Sequence, residues 1–186
     1  MKFLSAAYNN FDVLPHSLWT ESSSTLRFLS LAGNNYSHLS GSGKKVQKYT
    51  SQEFSENFFS SSGPYHRFTG LPELKELDLR NSQLTSINSD LLWDLISLEY
   101  LYLSNNFITV LIGNPFPSKL IHIDLAYNNH PNEISVLGMS PYAFQELNSL
   151  RTLDFSFTKL EERSVLFLEK LPISLIGLSL CYTNLQ

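Results

Sequence analysis

Few residues of this chain have the types and spacing that catalysis or metal binding requires. Five histidines lie far apart, and none stands at metal-site spacing from the single cysteine, Cys181. The segment Ser-Gly-Ser-Gly-Lys at 40–44 matches a phosphate-binding loop only in part, because the first glycine is missing and Lys45 occupies the place of Ser or Thr. Glu161 and Glu162 are adjacent carboxylates that we expect to be solvated. We therefore predict that the chain is not an enzyme and uses no cofactor and no metal.

One group of residues instead has the composition of a surface that binds another macromolecule. It combines carboxylates, aromatic rings and a guanidinium, and its members are Glu76, Asp78, Arg80, Tyr100, Tyr102, His122, Asp124, Tyr127 and Asp154. Aromatic side chains flanked by charge are typical of binding hot spots, and the excess of acid favours a protein ligand with a basic surface. For Tyr100 and Tyr102 we favour contact with a partner, because exposed aromatic rings lower solubility. For the three aspartates we favour the alternative that they mainly keep the surface soluble.

These residues can share a surface only if the segments that carry them repeat in register. The pattern L-x-x-L-x-L-x-x-N-x-L is clearest at 98–108 and returns with starts near 1, 26, 74, 120, 150 and 175. We predict an eighth, degenerate repeat with a start near 49, where Tyr49, Phe54, Asn57 and Phe59 occupy four of the five expected positions. The alternative is that this stretch is a polar loop. With it included, the starts lie 22 to 30 residues apart.

The repeat has a direct structural meaning. A short strand in each unit lies parallel to its neighbours, and alternation sends the fourth and sixth positions into the core. We expect strands at 28–32, 76–80, 100–104, 122–126 and 152–156, all in one curved sheet. The ninth-position asparagine turns inward, where its amide satisfies buried backbone groups. Ser82, Thr158 and Thr183 can do part of that work. Since one unit cannot cover its own apolar face, stacking supplies the core.

The pattern is that of the leucine-rich repeat. Between the strands, an F-x-x-L-x-x-L or similar spacing recurs at Phe68, Leu71 and Leu74, at Leu92, Leu95 and Leu98, and at Phe144, Leu147 and Leu150. With Leu-x-x-Leu-Asp-Leu/Phe at 74–79 and 150–155, this spacing resembles the typical repeat of Toll-like receptor ectodomains. The resemblance implies an α/β-type repeat, a leucine-rich-repeat solenoid with a curved parallel β-sheet on its concave face and an irregular or short helical convex side. It implies a single domain over 1–186.

The resemblance also implies a function. It indicates a protein-recognition module that binds a macromolecular ligand on its concave face, within a Toll-like or other extracellular leucine-rich-repeat receptor or adhesion protein. The alternative is an intracellular leucine-rich-repeat scaffold or enzyme regulator in the cytoplasm. Asn35, followed by Tyr36 and Ser37, is a glycosylation candidate. The loop at 130–142, in the longest unit, is either a second recognition element or a simple insertion.

Composition excludes some partners and restricts the location. The formal charge of −4 argues against a general nucleic-acid binder, which needs a basic face. No apolar run reaches the roughly 18 residues of a membrane span. Because Cys181 is the single cysteine, no internal disulfide can form. This indicates either a protein of a reducing compartment or a piece of a secreted protein that lacks its disulfide-bonded ends. Since Met1 lies inside a repeat and Gln186 follows Leu185 directly, we expect a fragment, uncapped at both ends and able to self-associate there.

Overall fold

The computed structural model describes residues 1–12, 14–19, 21, 24–36, 68–128 and 136–185. Along this part of the chain, short strands alternate with turns and short helical segments. In chain order they are β1 (Phe3–Ser5), a 3-10 helix (His16–Leu18), β2 (Phe28–Ser30), β3 (Glu76–Asp78), β4 (Ser86–Asn88), α1 (Ser89–Leu92), β5 (Tyr100–Tyr102), β6 (Val110–Ile112), β7 (His122–Asp124), β8 (Gly138–Met139), β9 (Thr152–Asp154), a 3-10 helix (Glu162–Lys170) and β10 (Gly177–Ser179).

Seven of these strands form one parallel sheet in the order β1-β2-β3-β5-β7-β9-β10. The register pairs their middle residues, so that one apolar row runs through the sheet: Leu4, Leu29, Leu77, Leu101, Ile123, Leu153 and Leu178. This arrangement confirms the predicted parallel sheet. The strands have three residues instead of the expected five. Hydrogen bonds between neighbours nevertheless continue past the strand ends, for example from the Leu79 N–H to the Tyr102 oxygen at 2.9 Å.

The strand order shows which of the described strands are neighbours in the region of the predicted eighth unit. β2 and β3 are hydrogen-bonded neighbours, with Phe28 paired with Glu76 and Ser30 with Asp78. A strand has one neighbour on each side, and those of β3 are β2 and β5. Within the described residues the sheet therefore has seven strands, and β2 and β3 are adjacent where a further strand was predicted between them. Residues 49–59, which were expected to form it, lie outside the described ranges.

The segments that return from one strand to the next contain regular structure that the repeat pattern does not predict. β4, β6 and β8 form a second parallel sheet of three strands. α1 follows β4 directly, and the Asn88 side chain caps it by accepting a hydrogen bond from the Leu91 N–H at 3.0 Å. The expected irregular or short helical side of the solenoid is thus in part a small sheet.

The leucines of the repeat build the core. Leu79, Leu103 and Leu125 are each 0% exposed, as predicted. The apolar residues of the return segments are buried with them: Phe68, Leu71, Leu74, Leu92, Leu95, Leu98, Phe144, Leu147 and Leu150. Each such side chain contributes about 1.5–3 kcal/mol to folding when it leaves water.

A row of polar residues at the ninth position is buried beside this core. The Asn106 side chain donates hydrogen bonds to the Leu79 and Leu103 carbonyl oxygens at 2.9 and 2.8 Å. Its oxygen accepts from the N–H groups of Ser82 and Leu84 at 2.9 and 3.0 Å. The side chain thus joins two successive units, as predicted. Hydroxyl side chains at this position make fewer bonds of this kind.

Candidate functional site

In each strand, the first and third residues lie on the side of the sheet opposite the buried middle residue. Together with residues of the turns that follow the strands, they form a surface that we call the outer face. It corresponds to the predicted concave face. Its members in the central units are Glu76, Asp78, Arg80, Tyr100, Tyr102, His122, Asp124, Tyr127, Thr152 and Asp154. The register places Glu76 beside Tyr100, and Tyr100 beside His122. The predicted site residues therefore lie on adjoining strands and on the turns that follow them.

Asp78 and Arg80 form the most closely bonded part of the outer face. The Arg80 Nε and Nη2 atoms donate to the two Asp78 oxygens at 2.9 Å each, and the Ser30 hydroxyl donates to the same carboxylate at 3.2 Å. The Asp78 side chain is 7% exposed, whereas that of Arg80 is 49% exposed. Burial alone would raise the pKa of Asp78, but the bonds and charge of Arg80 and the Ser30 hydroxyl hold it below its ordinary value. Asp78 therefore positions Arg80, and Arg80 is the accessible member of the pair.

From Arg80 a line of contacts crosses three further strands. The guanidinium carbon lies 5.4 Å from the centre of the Tyr102 ring, within the range of cation–π attraction. The Tyr102 and His122 ring centres are 5.3 Å apart. Beyond them, Nδ1 of His122 is 2.6 Å from the Thr152 hydroxyl oxygen. Burial lowers the pKa of His122 despite two nearby aspartates, so the imidazole is neutral at neutral pH.

The other aspartates of the outer face hold the turns that follow their own strands. Oδ1 of Asp124 accepts a hydrogen bond from the Ala126 N–H at 3.0 Å, and Oδ1 of Asp154 accepts from the Ser156 N–H at 2.7 Å. Asp78 accepts from the N–H two residues on in the same way. A side chain that bonds the backbone at this spacing forms an Asx turn. These aspartates therefore have a local structural role, which the sequence analysis did not assign to them.

Tyr127 belongs to an aromatic stack that the predicted site contains only in part. Its ring centre is 4.5 Å from that of Phe157 with an interplanar angle of 8°, and Phe157 stacks on Tyr182 at 4.6 Å and 15°. The predicted site omits Phe157 and Tyr182. The sequence does contain a signal for them, because aromatic residues recur at the eighth position of three successive units.

The remaining predicted recognition elements are only partly described. Asn35 is half-buried, and its N–H donates to the Phe11 oxygen at 2.9 Å. Ser37 of the same sequon lies outside the described residues, as do residues 130–135 of the predicted loop. Met139 in that loop belongs to β8, and Tyr142 is 54% exposed.

Comparison with known proteins identifies the repeat. The family model for the leucine rich repeat matches residues 64–108. Together with the seven-stranded parallel sheet, this match shows that the chain has the fold of a leucine-rich-repeat solenoid. It is 34% identical to Podocan from Mus musculus in an alignment of 119 residues that covers 53% of this chain and 20% of Podocan. Its fold resembles a chain in the crystal structure of the TLR13–ssRNA13 complex, with a TM-score of 0.51 and 20% identity over 98% of this chain and 29% of that chain.

The chain thus spans about a fifth of Podocan and less than a third of the TLR13 chain. At 20% identity, the likeness to the TLR13 chain shows the fold alone. Among the described residues, no group of three or more His, Cys, Asp or Glu side chains could hold a metal ion. In the same part of the chain, none of the helices has the length and apolar character to cross a bilayer.

Proposed function

We propose that the outer face binds a protein ligand, with the contacts around Tyr102 as the centre of the site. One observation carries the proposal: Arg80, Tyr102 and His122 come from three neighbouring units and touch in one line while they stay partly exposed. Arginine and aromatic residues are the commonest anchors of protein interfaces. Because their neighbours hold these side chains in place, less conformational entropy is lost on binding.

We propose a partner with a basic surface. Glu76, Asp124 and Asp154 add negative charge to the outer face, and the charge of Arg80 is offset by Asp78. Such a field accelerates association with a basic protein and opposes the approach of phosphates. The ssRNA13 of the solved complex is a partner of TLR13, and we propose that this chain binds no nucleic acid.

The proposed location is extracellular or at the cell surface, within a longer receptor or adhesion protein of the Toll-like kind that acts in innate immunity. The resemblance of the repeats to those of Toll-like receptor ectodomains and the sequon at Asn35 support this location. An intracellular scaffold is the alternative, because the exposed free thiol of Cys181 suits a reducing compartment.

Expression in a secretory eukaryotic host separates these locations. We expect a mass increase from a glycan, which is lost in Asn35→Gln and kept in Asn132→Gln. Asn132 is a suitable control because it lies outside any sequon. An unmodified, secreted chain with a reduced Cys181 would favour the intracellular alternative.

We further propose that copies of the chain associate through the apolar residues near β10. Ile173, Ile176 and Leu178 are 104%, 76% and 37% exposed, which is unusual for large apolar side chains. Sedimentation at increasing concentration should show dimers in the wild type and fewer in Ile176→Glu. A monomer at every concentration would contradict the proposal.

Site-specific photo-crosslinking tests the outer face. A photoreactive phenylalanine replaces Tyr100 in one variant and Trp93 in the control, since Trp93 is 70% exposed on a return segment. Each variant is mixed with extracellular proteins, and the adducts are identified by mass spectrometry. We expect one protein to be captured from position 100 alone, and less of it when Tyr102→Ala is added. Capture from position 93 alone would move the binding site to the return segments.

A further inference from the structure

The eighth residues of the units form a column beside the outer face. All of the described members have positive φ, and they are Tyr8, Gly33, Asn81, Asn105, Tyr127, Phe157 and Tyr182. Asparagine and glycine adopt this conformation most readily. Aromatic rings occupy both ends of the column, whereas the three units between them carry an amide or no side chain. The column therefore has a gap where the rings are missing.

The gap is part of a cavity of about 230 Å³, whose walls include Tyr8, Arg80, Asn81, Ser104 and Asn105. The Tyr8 ring lies against Gly33, where a Cβ atom would collide with it. This ring is 78% exposed and leaves one wall of the cavity aromatic. Pockets for drug-sized molecules have roughly 300–1,000 Å³, so the cavity suits one small ring.

The two charged residues in the cavity wall, Asp78 and Arg80, have opposite charges that cancel. The Asp78 carboxylate accepts four hydrogen bonds, three from Arg80 and one from Ser30. Because a carboxylate has about four acceptor positions, Asp78 has no capacity left for a ligand. The exposed amides of Asn81 and Asn105 make no side-chain hydrogen bond to any other described residue. The groups available to a ligand are therefore the neutral amides of Asn81 and Asn105, the ring of Tyr8 and the exposed part of Arg80, whose charge Asp78 offsets.

We propose that this cavity binds a neutral saccharide ring, either in a free oligosaccharide or in the glycan of a glycoprotein. A sugar presents neighbouring hydroxyls at its edge and C–H groups on its faces. Each asparagine amide has donors and an acceptor side by side, which matches a pair of neighbouring hydroxyls. The negative face of the Tyr8 ring attracts the polarised C–H groups. The site shares Arg80 with the proposed protein-binding centre but does not include Tyr102.

NMR titration of the 186-residue chain tests the proposal. The probes are the methyl glycosides of glucose, galactose, mannose and N-acetylglucosamine. We expect at least one, at millimolar concentration, to shift the side-chain amide signals of Asn81 and Asn105 and the ring signals of Tyr8. Replacement of both asparagines by glycine keeps the positive φ and removes the amides, and should weaken binding about tenfold.

Gln83→Gly is the matched control. Gln83 is exposed, has a φ of 58° and lies outside the cavity walls, so that binding in this variant should equal that of the wild type. Glucuronate and glucosamine serve as charged probes and should bind more weakly than the neutral glycosides. The proposal is overturned if no neutral glycoside shifts these signals, if a charged probe binds as tightly, or if the double glycine variant binds unchanged.

Two further arms distinguish the sources of the saccharide. One uses free oligosaccharides, and the other uses a neutral N-glycosylated protein before and after enzymatic removal of its glycans. Loss of binding on deglycosylation supports recognition of a glycan, whereas equal binding afterwards excludes it. Tyr102→Ala should leave saccharide binding unchanged, so that failure of this site and failure of the proposed protein-binding centre can be told apart.

Discussion

The central unit around β5 and the unit of β10 share one sequence pattern but differ in how completely they are covered. Leu101 is 0% exposed, whereas Leu178 at the same position is 37% exposed. The Asn106 side chain bonds two units, while the Thr183 hydroxyl donates at 2.9 Å to the Leu180 oxygen of its own unit. The pattern thus sets which residues face inward. The neighbours on each side set how much those residues contribute to stability.

Truncation of a core leucine should show the largest difference between the two units. Leu103→Ala should lower the free energy of unfolding by about 2–5 kcal/mol, because it leaves a cavity at a fully buried position. Leu178→Ala should cost distinctly less, since part of this side chain is already in water. Denaturant titration followed by circular dichroism measures both values. Equal losses would mean that the unit of β10 is as well packed as the central unit.

The ninth-position residues should show the next largest difference. Asn106→Ala leaves buried backbone groups without partners and should cost about 1–3 kcal/mol. Thr183→Ala removes one hydrogen bond and should cost about 0.5–1.5 kcal/mol. The same titration applies, with Asn9→Ala as a control because Asn9 is exposed and donates only to carbonyl oxygens of its own unit. A larger loss of stability in Thr183→Ala than in Asn106→Ala would contradict this prediction.

Mild acid should lower the stability of the central units, whereas the stability of the unit of β10 should stay constant. Burial lowers the pKa of His122 below its ordinary 6.5, so folding favours the neutral ring. This contribution is complete above pH 6.5 and is lost as the pH falls through the lower pKa of the folded state. The contribution of Asp78, whose pKa is also lowered, is lost only below its ordinary 3.8. In the unit of β10, Gly177 and Ser179 occupy the corresponding positions.

Hydrogen exchange of the Leu103 and Leu178 amides, corrected for the intrinsic effect of pH, measures this difference. Protection of Leu103 should fall between neutral pH and pH values well below 6.5, while that of Leu178 stays constant. His122→Gln should remove the pH dependence in this range. A pH dependence that persists in this variant would assign it to another group.

The smallest change in stability is expected for Tyr36→Phe. This substitution tests whether a buried polar group stabilises the fold when it has no hydrogen-bond partner. Tyr36 is 0% exposed, and its hydroxyl has no hydrogen-bond partner among the described residues. Burial raises the pKa of this phenol, in agreement with an uncompensated polar group. Removal of the hydroxyl should leave stability unchanged or raise it by about 1 kcal/mol, as measured by thermal unfolding. A loss of similar size would mean that the hydroxyl does have a partner.

The parallel sheet, the leucine row and the inward asparagines could be predicted from the repeat pattern. These features follow from two local periods, the alternation of side chains along a strand and the recurrence of the unit. The same alternation is sufficient to place Glu76, Tyr100, Tyr102 and His122 on one surface. These features could be predicted because each depends only on the residues of one unit and on the repetition of that unit along the chain.

The accessibility of each predicted residue and the contacts between side chains depend on how the units pack against each other, which the pattern does not specify. Asp78 is covered because its side chain contacts Ser30, 48 positions away, and this contact exists because β2 pairs directly with β3. The stack of Tyr127, Phe157 and Tyr182 and the cavity beside Tyr8 likewise arise between units. A periodic pattern specifies the direction of a side chain within its unit. Contact between units depends on which strands become neighbours, and this cannot be predicted where the sequence pattern is degenerate, as it is at 37–67.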